Sequence, residues 1–282
     1  MHKMLWMAPA KINLFLRVLR KRADGYHDIF SLMQKITLYD ELIFYPRPKG
    51  IVLNCPGTNL PTNDDNLVVR AAKAIFSYCN YPYGMEINLI KKIPMTAGLG
   101  GGSSDAATTL MALNKICALK LKKNELINLG AKIGADVPFF IFGNTALASG
   151  IGDKLKHLRN LPQLNLILIK PDFELSTKMV YENLNLRLTR VKNNYSIPRF
   201  LVLGDIVQGL HNDLESVSLE IHPELAGLKK MLLRQGALGA LMSGSGPTVF
   251  GIFRNGKEAE KNLEVIRKEV SGQCMVFLAK SL

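Results

Sequence analysis

The sequence predicts an α+β protein built as one large or two modest domains. Three observations carry that expectation. Strand-like and helix-like stretches mix along the chain without strict βαβ repetition. The chain has 282 residues, more than the about 100–200 of a typical single domain. Of these residues 48% are hydrophobic, enough for a proper core.

Residues 10–20 and 35–45 alternate apolar and polar side chains with the period of a strand, and Asp24-Gly25 marks the turn region between them. Further strands are expected at Ile51–Asn54, Met85–Ile90 and Thr145–Ser149. Helical patterns occupy Asn66–Cys79, Ser104–Leu119 and Lys123–Ile133; in the second, Ala106, Leu110, Leu113 and Cys117 recur at helical spacing. An apolar strand at Leu164–Lys170 opens a new section. It continues with helices near Ser176–Leu184 and His222–Gln235, then strands at Ala240–Met242, Thr248–Phe253 and Met275–Ala279. The polar stretch Gly152–Asn160 suggests a boundary near residue 155, dividing 1–155 from 156–282. No repeat or low-complexity segment occurs.

Composition narrows the function classes. No window of about 18 uninterrupted apolar residues exists, which argues against a membrane span. Pro9, Lys11, Asn13 and Arg17 interrupt the apolar N-terminus where a secretory signal needs an unbroken core, so a cytoplasmic protein is expected. Cys55, Cys79, Cys117 and Cys274 form no C-x-x-C pair, which argues against zinc and a disulfide framework and for reduced, mostly buried thiols. The net charge of +13 suits polyanionic company. Nucleic acid is not favoured, because the basic residues are spread along the chain and no aromatic-basic signature appears. Substrates carrying several phosphates explain the sign equally well. The oligomeric state is not readable.

The most informative stretch is PMTAGLGGGSSDAA, Pro94 to Ala107. Its glycines, Gly98, Gly100, Gly101 and Gly102, free the backbone to visit φ > 0. Successive N–H groups can then converge into an anion nest. Ser103, Ser104 and Asp105 follow as helix-capping types, and a donor-rich turn feeding a helix N-terminus suits phosphate. The bland alternative is a glycine-rich surface turn before a core helix. No Gly-Lys-Ser/Thr follows, the sixth place from Gly98 holds Ser103, and no G-x-S-x-G occurs here. The P-loop, the dinucleotide fingerprint and the hydrolase elbow are therefore set aside.

Four other places could carry chemistry. Lys11 and Asn13 share one face of the first strand, opposite Ile12 and Leu14; the lysine is either solvated or aimed into a pocket. Tyr26 and His27 beside the Asp24-Gly25 turn are either turn residues or an aromatic face for a base. Asp136, boxed by Val137, Pro138, Phe139 and Phe140, is either a cap or turn aspartate or a general base held ionised by a lysine, for which Lys11 is the choice. Ser243, Gly244, Ser245 and Gly246, between two apolar runs, are either a hairpin-like turn or a second phosphate loop.

Three segments in order, PAKINLFL, PMTAGLGGGSSDAA and MSGSGPTVFGIF, resemble the GHMP kinase superfamily. RADGYHDIFSLMQ, the GLGGGSSDAA form of the loop, IGADVPFFIFG and HNDLE (His211 to Glu215) resemble its members that act on a small cytidine diphosphate substrate. The resemblance spans nearly the whole chain. It implies ATP-dependent phosphorylation of a substrate hydroxyl on the non-mevalonate route to isoprenoid precursors, with Mg²⁺ accompanying ATP. The implied fold has a ribosomal-protein-like N-terminal domain with a left-handed βαβ crossover and a ferredoxin-like C-terminal domain.

By position, the resemblance makes Asp136 the base and Lys11 its charge partner. It gives the triphosphate cradle to Pro94, Met95, Thr96, Ala97, Gly98, Leu99, Gly100, Gly101, Gly102, Ser103 and Ser104, and a place bordering adenine to Asn66. Asn13, Tyr26 and His27 match the cytidine end, and Tyr181 is chosen to cover the other face of cytosine. Thr96 and Ala97 stand where the family often has glycine, which should narrow the loop without removing its donors. Arg187–Gly209 aligns with no motif. Another small-molecule kinase of the superfamily and a non-catalytic nucleotide- or RNA-binding relative are the alternatives; the second should have lost Lys11 or Asp136, and both are present.

Overall fold

The computed structural model describes residues 4–185 and 202–282, so most of the unaligned stretch 187–209 lies outside the described residues. The chain begins with two long strands, β1 (Met4–Lys21) and β2 (His27–Arg47), joined at the expected Asp24-Gly25 turn. Then come β3 (Ile51–Asn54), α1 (Leu67–Tyr78), β4 (Gly84–Ile90) and α2 (Gly101–Ile116). Next are α3 (Lys123–Ala131), α4 (Val137–Phe142), β5 (Ala146–Gly150) and β6 (Lys154–His157). The later part runs β7 (Asn165–Pro171), α5 (Thr177–Glu182), α6 (Leu203–Gln208), β8 (His211–Asn212), α7 (Leu214–Ile221) and α8 (Glu224–Arg234). It closes with β9 (Gly239–Met242), β10 (Val249–Phe253), α9 (Gly256–Glu269) and β11 (Cys274–Lys280). The α+β expectation holds. No helix of the described residues is long and apolar enough to cross a membrane.

The chain weaves two units. One holds residues through Ala10, Leu38–Met95 and Gly100–Asn144. In it the far half of β2 pairs antiparallel with β4, from Glu41 opposite Ile90 to Arg47 opposite Gly84. β3 lies parallel to β4, so α1 forms a crossover between them. Met85, Ile87 and Leu89 alternate inward along β4, as the period of a strand requires. α1 starts where the sequence places it, because the Asn66 side chain caps it by accepting from Val68 N at 2.9 Å. α1 and α2 pack together, with Ile75, Ala106, Leu110 and Leu113 buried.

The other unit holds Lys11–Thr37, Thr96–Leu99 and the described residues from Thr145 onward. β7, β9, β10 and β11 form an antiparallel sheet ordered β11-β7-β10-β9. With helices between β7 and β9 and α9 between β10 and β11, this is the ferredoxin-like β-α-β-β-α-β plan. α8 and α9 bury Leu225, Leu232 and Ile266 against it. In the same unit β8 lies parallel to β1, placing Asn212 beside Leu16, and β5 runs antiparallel to β2.

Two expectations need correction. Ser103, Ser104 and Asp105 do not cap α2: Gly100 takes the cap position at φ 70°, Gly101 and Gly102 enter the helix, and Ser104 and Asp105 are buried within it. The four cysteines are free, yet half-buried rather than buried. Among the elements without a counterpart in the expected strands and helices are β6, paired with β5, and the helices α4 and α9.

Asn255 caps α9 by accepting from Glu258 N at 3.0 Å. Asn255→Ala should lower stability by about 1 kcal/mol, read as a fall in the thermal midpoint. An unchanged midpoint would show that the cap contributes nothing.

Candidate active site

The first strand is buried on both faces where chemistry is expected. Lys11 is 5% exposed and Asn13 2%, so the solvated reading of Lys11 fails. An ammonium so far from water needs partners. Its Nζ donates to Asn13 Oδ1 at 2.7 Å. Asn13 Nδ2 donates to Ser31 Oγ at 2.8 Å, and Ser31 Oγ donates to Phe15 O at 2.7 Å. This relay through β2 fixes which way the Asn13 amide points, with its oxygen toward the lysine. Lys11 N donates to Leu99 O at 2.9 Å, tying the strand to the glycine stretch.

Within that stretch Thr96, Gly98 and Gly100 adopt φ of 47°, 72° and 70°. The positive values recur at every second residue, the kind of alternation that curls successive amides toward one side. For Thr96, β-branched, the left-handed region is strained. Gly98 is demanded by contact: a Cβ there would overlap the carbonyl oxygen of Ser243 and lie 3.1 Å from Gly246 N. Ser243 Oγ donates to Gly98 O at 3.0 Å. Ser243–Gly246 link β9 to β10, as expected, and Gly244 approaches the lysine so closely that a Cβ would sit 3.3 Å from Lys11 Nζ and 3.4 Å from Asn13 Oδ1. One unit thus brings together Lys11, Asn13, Gly98 and the Ser243–Gly246 loop.

The same unit sets the aromatic residues. His27 and Tyr181 face each other with ring centroids 4.9 Å apart and planes 31° from parallel. Burial, together with the charge of Lys21, lowers the His27 pKa and favours its neutral ring. Tyr26 is 58% exposed at the turn. Ser176 caps the helix that carries Tyr181, and Thr177 Oγ1 meets Ser245 Oγ at 2.8 Å.

In the other unit, Asn66, Pro94, Met95, Gly100–Ser104 and Asp136 find their places. Asn66 is 8% exposed and spends its side chain on the α1 cap and on Pro61 O. Asp136 holds the cap position of α4, but its half-buried carboxylate makes no capping bond.

The same unit holds an ion cluster beside Gly101 that has no local signal in the sequence. Lys91 Nζ pairs with Asp40 and, at 2.8 Å, with Asp105. A Cβ at Gly101 would lie 3.2 Å from that nitrogen. Asp40 also accepts from Lys92 N at 2.6 Å and Ile93 N at 2.8 Å, whereas Asp105 Oδ1 has no hydrogen-bond partner. Burial pushes the Asp105 carboxyl up to about 7, with Lys91 opposing and Asp40 adding to the rise. Burial works against the Lys91 charge, but the two carboxylates hold its pKa above the ordinary value. Asp40 and Asp105 lie far from Lys91 in sequence, so only the fold reveals the cluster.

Gly98→Ala must displace the Ser243 carbonyl and also force φ 72° on alanine. Strain of about 1–2 kcal/mol from the backbone alone should lower the folding stability by at least that much, read as a fall in the thermal midpoint. An unchanged midpoint would contradict the tight packing.

The family model described as GHMP kinases N terminal domain matches residues 66–144, and that described as GHMP kinases C terminal matches residues 199–272. The chain is 55% identical over 276 residues to the 4-diphosphocytidyl-2-C-methyl-D-erythritol kinase of Syntrophus aciditrophicus, covering 98% of each chain. It is 47% identical over 261 residues to the enzyme of the same name from Syntrophotalea carbinolica, covering 92% of each. A solved structure of 4-(cytidine 5'-diphospho)-2C-methyl-D-erythritol kinase matches with a TM-score of 0.84 at 33% identity, covering 99% of both chains. This chain belongs to the GHMP kinase family.

Proposed function

We propose that the chain transfers the γ-phosphoryl group of ATP to the 2-hydroxyl of 4-diphosphocytidyl-2-C-methyl-D-erythritol, in the cytoplasm. The observation that carries the reading is the buried Lys11 ammonium, set by Asn13 and backed by a second glycine loop packed on the first. A buried positive charge beside two donor-rich loops suits a transferring phosphoryl group. The His27–Tyr181 pair supports a nucleobase at the other end. The near-complete span of the relatives supports the particular substrate.

Phosphoryl transfer asks chiefly for positioning and charge neutralisation. The substrate hydroxyl oxygen bonds to the γ-phosphorus as the bond from that phosphorus to the bridging oxygen of ADP breaks. Asp136 takes the hydroxyl proton, and the Lys11 ammonium neutralises the γ-phosphate. The amides of Pro94–Ser104, leading into α2, cradle the β- and γ-phosphates. Asn66 borders the adenine, and Ser243, Gly244, Ser245 and Gly246 face the phosphates as a second nest. Asn13, Tyr26, His27 and Tyr181 hold the cytidine end.

Mg²⁺ brought with ATP neutralises phosphate charge and needs only one or two protein oxygens. The residues fit such an ion. Among the described residues no group of three or more His, Cys, Asp or Glu forms a metal cage, while Ser104 Oγ is buried without a partner. Ser103 and Ser104 are the hydroxyls that would contribute.

An ADP-release assay with and without the cytidine substrate tests the function. Release that depends on this substrate is expected, while release driven by homoserine, mevalonate or a sugar in its place would assign another member of the family. Asp136→Asn should abolish transfer while ATP still binds; turnover within a few-fold of wild type would remove Asp136 from the chemistry. Tyr181→Ala should raise the KM for the cytidine substrate by roughly 5- to 150-fold, the equivalent of about 1–3 kcal/mol of stacking, and leave that for ATP unchanged. Equal changes in both would place the base elsewhere.

A further inference from the structure

The HNDLE segment, His211 to Glu215, has no part in the chemistry above, yet it grips the second glycine loop. Asn212 is 6% exposed. Its Nδ2 donates to two carbonyls on either side of Ser243, Met242 O at 2.9 Å and Gly244 O at 2.7 Å. Its Oδ1 accepts from Leu214 N at 3.0 Å, starting α7. All three bonds of this one amide are therefore directed, and its flip state is fixed by them. Glu215 Oε1 accepts from Met242 N at 2.9 Å while Oε2 accepts from Lys229 Nζ at 2.6 Å.

The same segment is registered on the strand that carries Lys11 and Asn13. His211 and Asn212 pair with Phe15 and Leu16. Asp213 N donates to Leu16 O at 3.0 Å, and Asp213 Oδ2 accepts from Val18 N at 2.8 Å. His211 Nε2 meets the other oxygen of Asp213 at 2.6 Å. Gly244 and Gly246 sit at φ 57° and 83°, where glycine's conformational freedom leaves a loop dependent on outside ties. Asn212 supplies the tie on one side of the loop, and the Ser243–Gly98 bond supplies it on the other.

We infer that Asn212 is a positioning residue for phosphoryl transfer, locking the Ser243–Gly246 loop at a fixed distance from Lys11 by tying the loop's Gly244 carbonyl, and the Met242 carbonyl at the end of β9, to β1. This rests on the kinase reading, since the loop's worth lies in what it holds beside the lysine. Asn212 acts through the loop. A displaced loop would withdraw the backing of Lys11 and the amides aimed at the phosphates, and a shift of about 1 Å in such a group can cost on the order of a hundredfold in rate.

Asn212→Ser is the test, because serine can keep the turn to Leu214 while losing both loop bonds. Asn212→Asp also keeps that turn but sets a carboxylate against two carbonyls, and should be the worse of the two. For Asn212→Ser, kcat/KM for ATP should fall by about ten- to a hundredfold, with the KM for the cytidine substrate unchanged. Combined with Ser243→Ala, the losses should not multiply, since both changes free the same loop. Multiplying losses, or a serine variant within twofold of wild type, would overturn the inference. A serine variant that does not fold would make Asn212 a structural residue and overturn it too. Wild-type turnover of the cytidine substrate checks the kinase reading separately; were that absent, the same cycle is read from ATP affinity by calorimetry.

Discussion

The buried ammonium of Lys11 is the constraint on which the rest of its unit depends. A charge removed from water destabilises a fold unless polar groups surround it, and the surroundings here are specified to the atom. Asn13 offers its oxygen because its nitrogen is committed to Ser31, and Ser31 is committed to the backbone of β1. Gly244 closes tightly beside the same nitrogen, where a Cβ would sit 3.3 Å away. A nonpolar residue would satisfy the packing with less elaborate support. A lysine at this place suits the proposed phosphoryl transfer, where its charge has work to do.

Close backbone approach is the second theme. Gly98 and the Ser243 carbonyl occupy space that a methyl group would contest, and the Ser243 hydroxyl adds a bond across the same contact. Two loops far apart in sequence become one surface through main-chain atoms. Such a surface presents fixed donors without side-chain freedom to lose, which suits an anion more than a substrate that needs individual recognition. Strain at Thr96 sits in the same stretch, consistent with a backbone shaped by its task.

What was legible in the sequence was local. Strand periods, the helical patterns opening at Asn66 and Ser176 and the two glycine loops are written in neighbouring residues, and helices do open there, each behind a side-chain cap. Long-range partners were not. Asp40 and Asp105 lie 51 and 14 residues from Lys91, and no local pattern distinguishes a buried lysine from a solvated one. α4 was missed because a short run of apolar residues, VPFFIF, has no period that separates helix from strand. α9 was missed because it carries only a narrow apolar stripe of Ala259, Leu263 and Ile266 amid many charges. The HNDLE segment was visible as a motif, but its grip on Met242 and Gly244 needed the folded chain.

The most direct test of the central claim replaces the charge and keeps the bulk. Turnover of ATP and 4-diphosphocytidyl-2-C-methyl-D-erythritol should be measured for Lys11→Met, with circular dichroism to establish folding. The account predicts a folded protein whose kcat falls by about a hundredfold or more, the usual loss when one preorganised electrostatic group is removed. A folded variant that turns over within a few-fold of wild type would contradict it, leaving Lys11 as a buried structural charge.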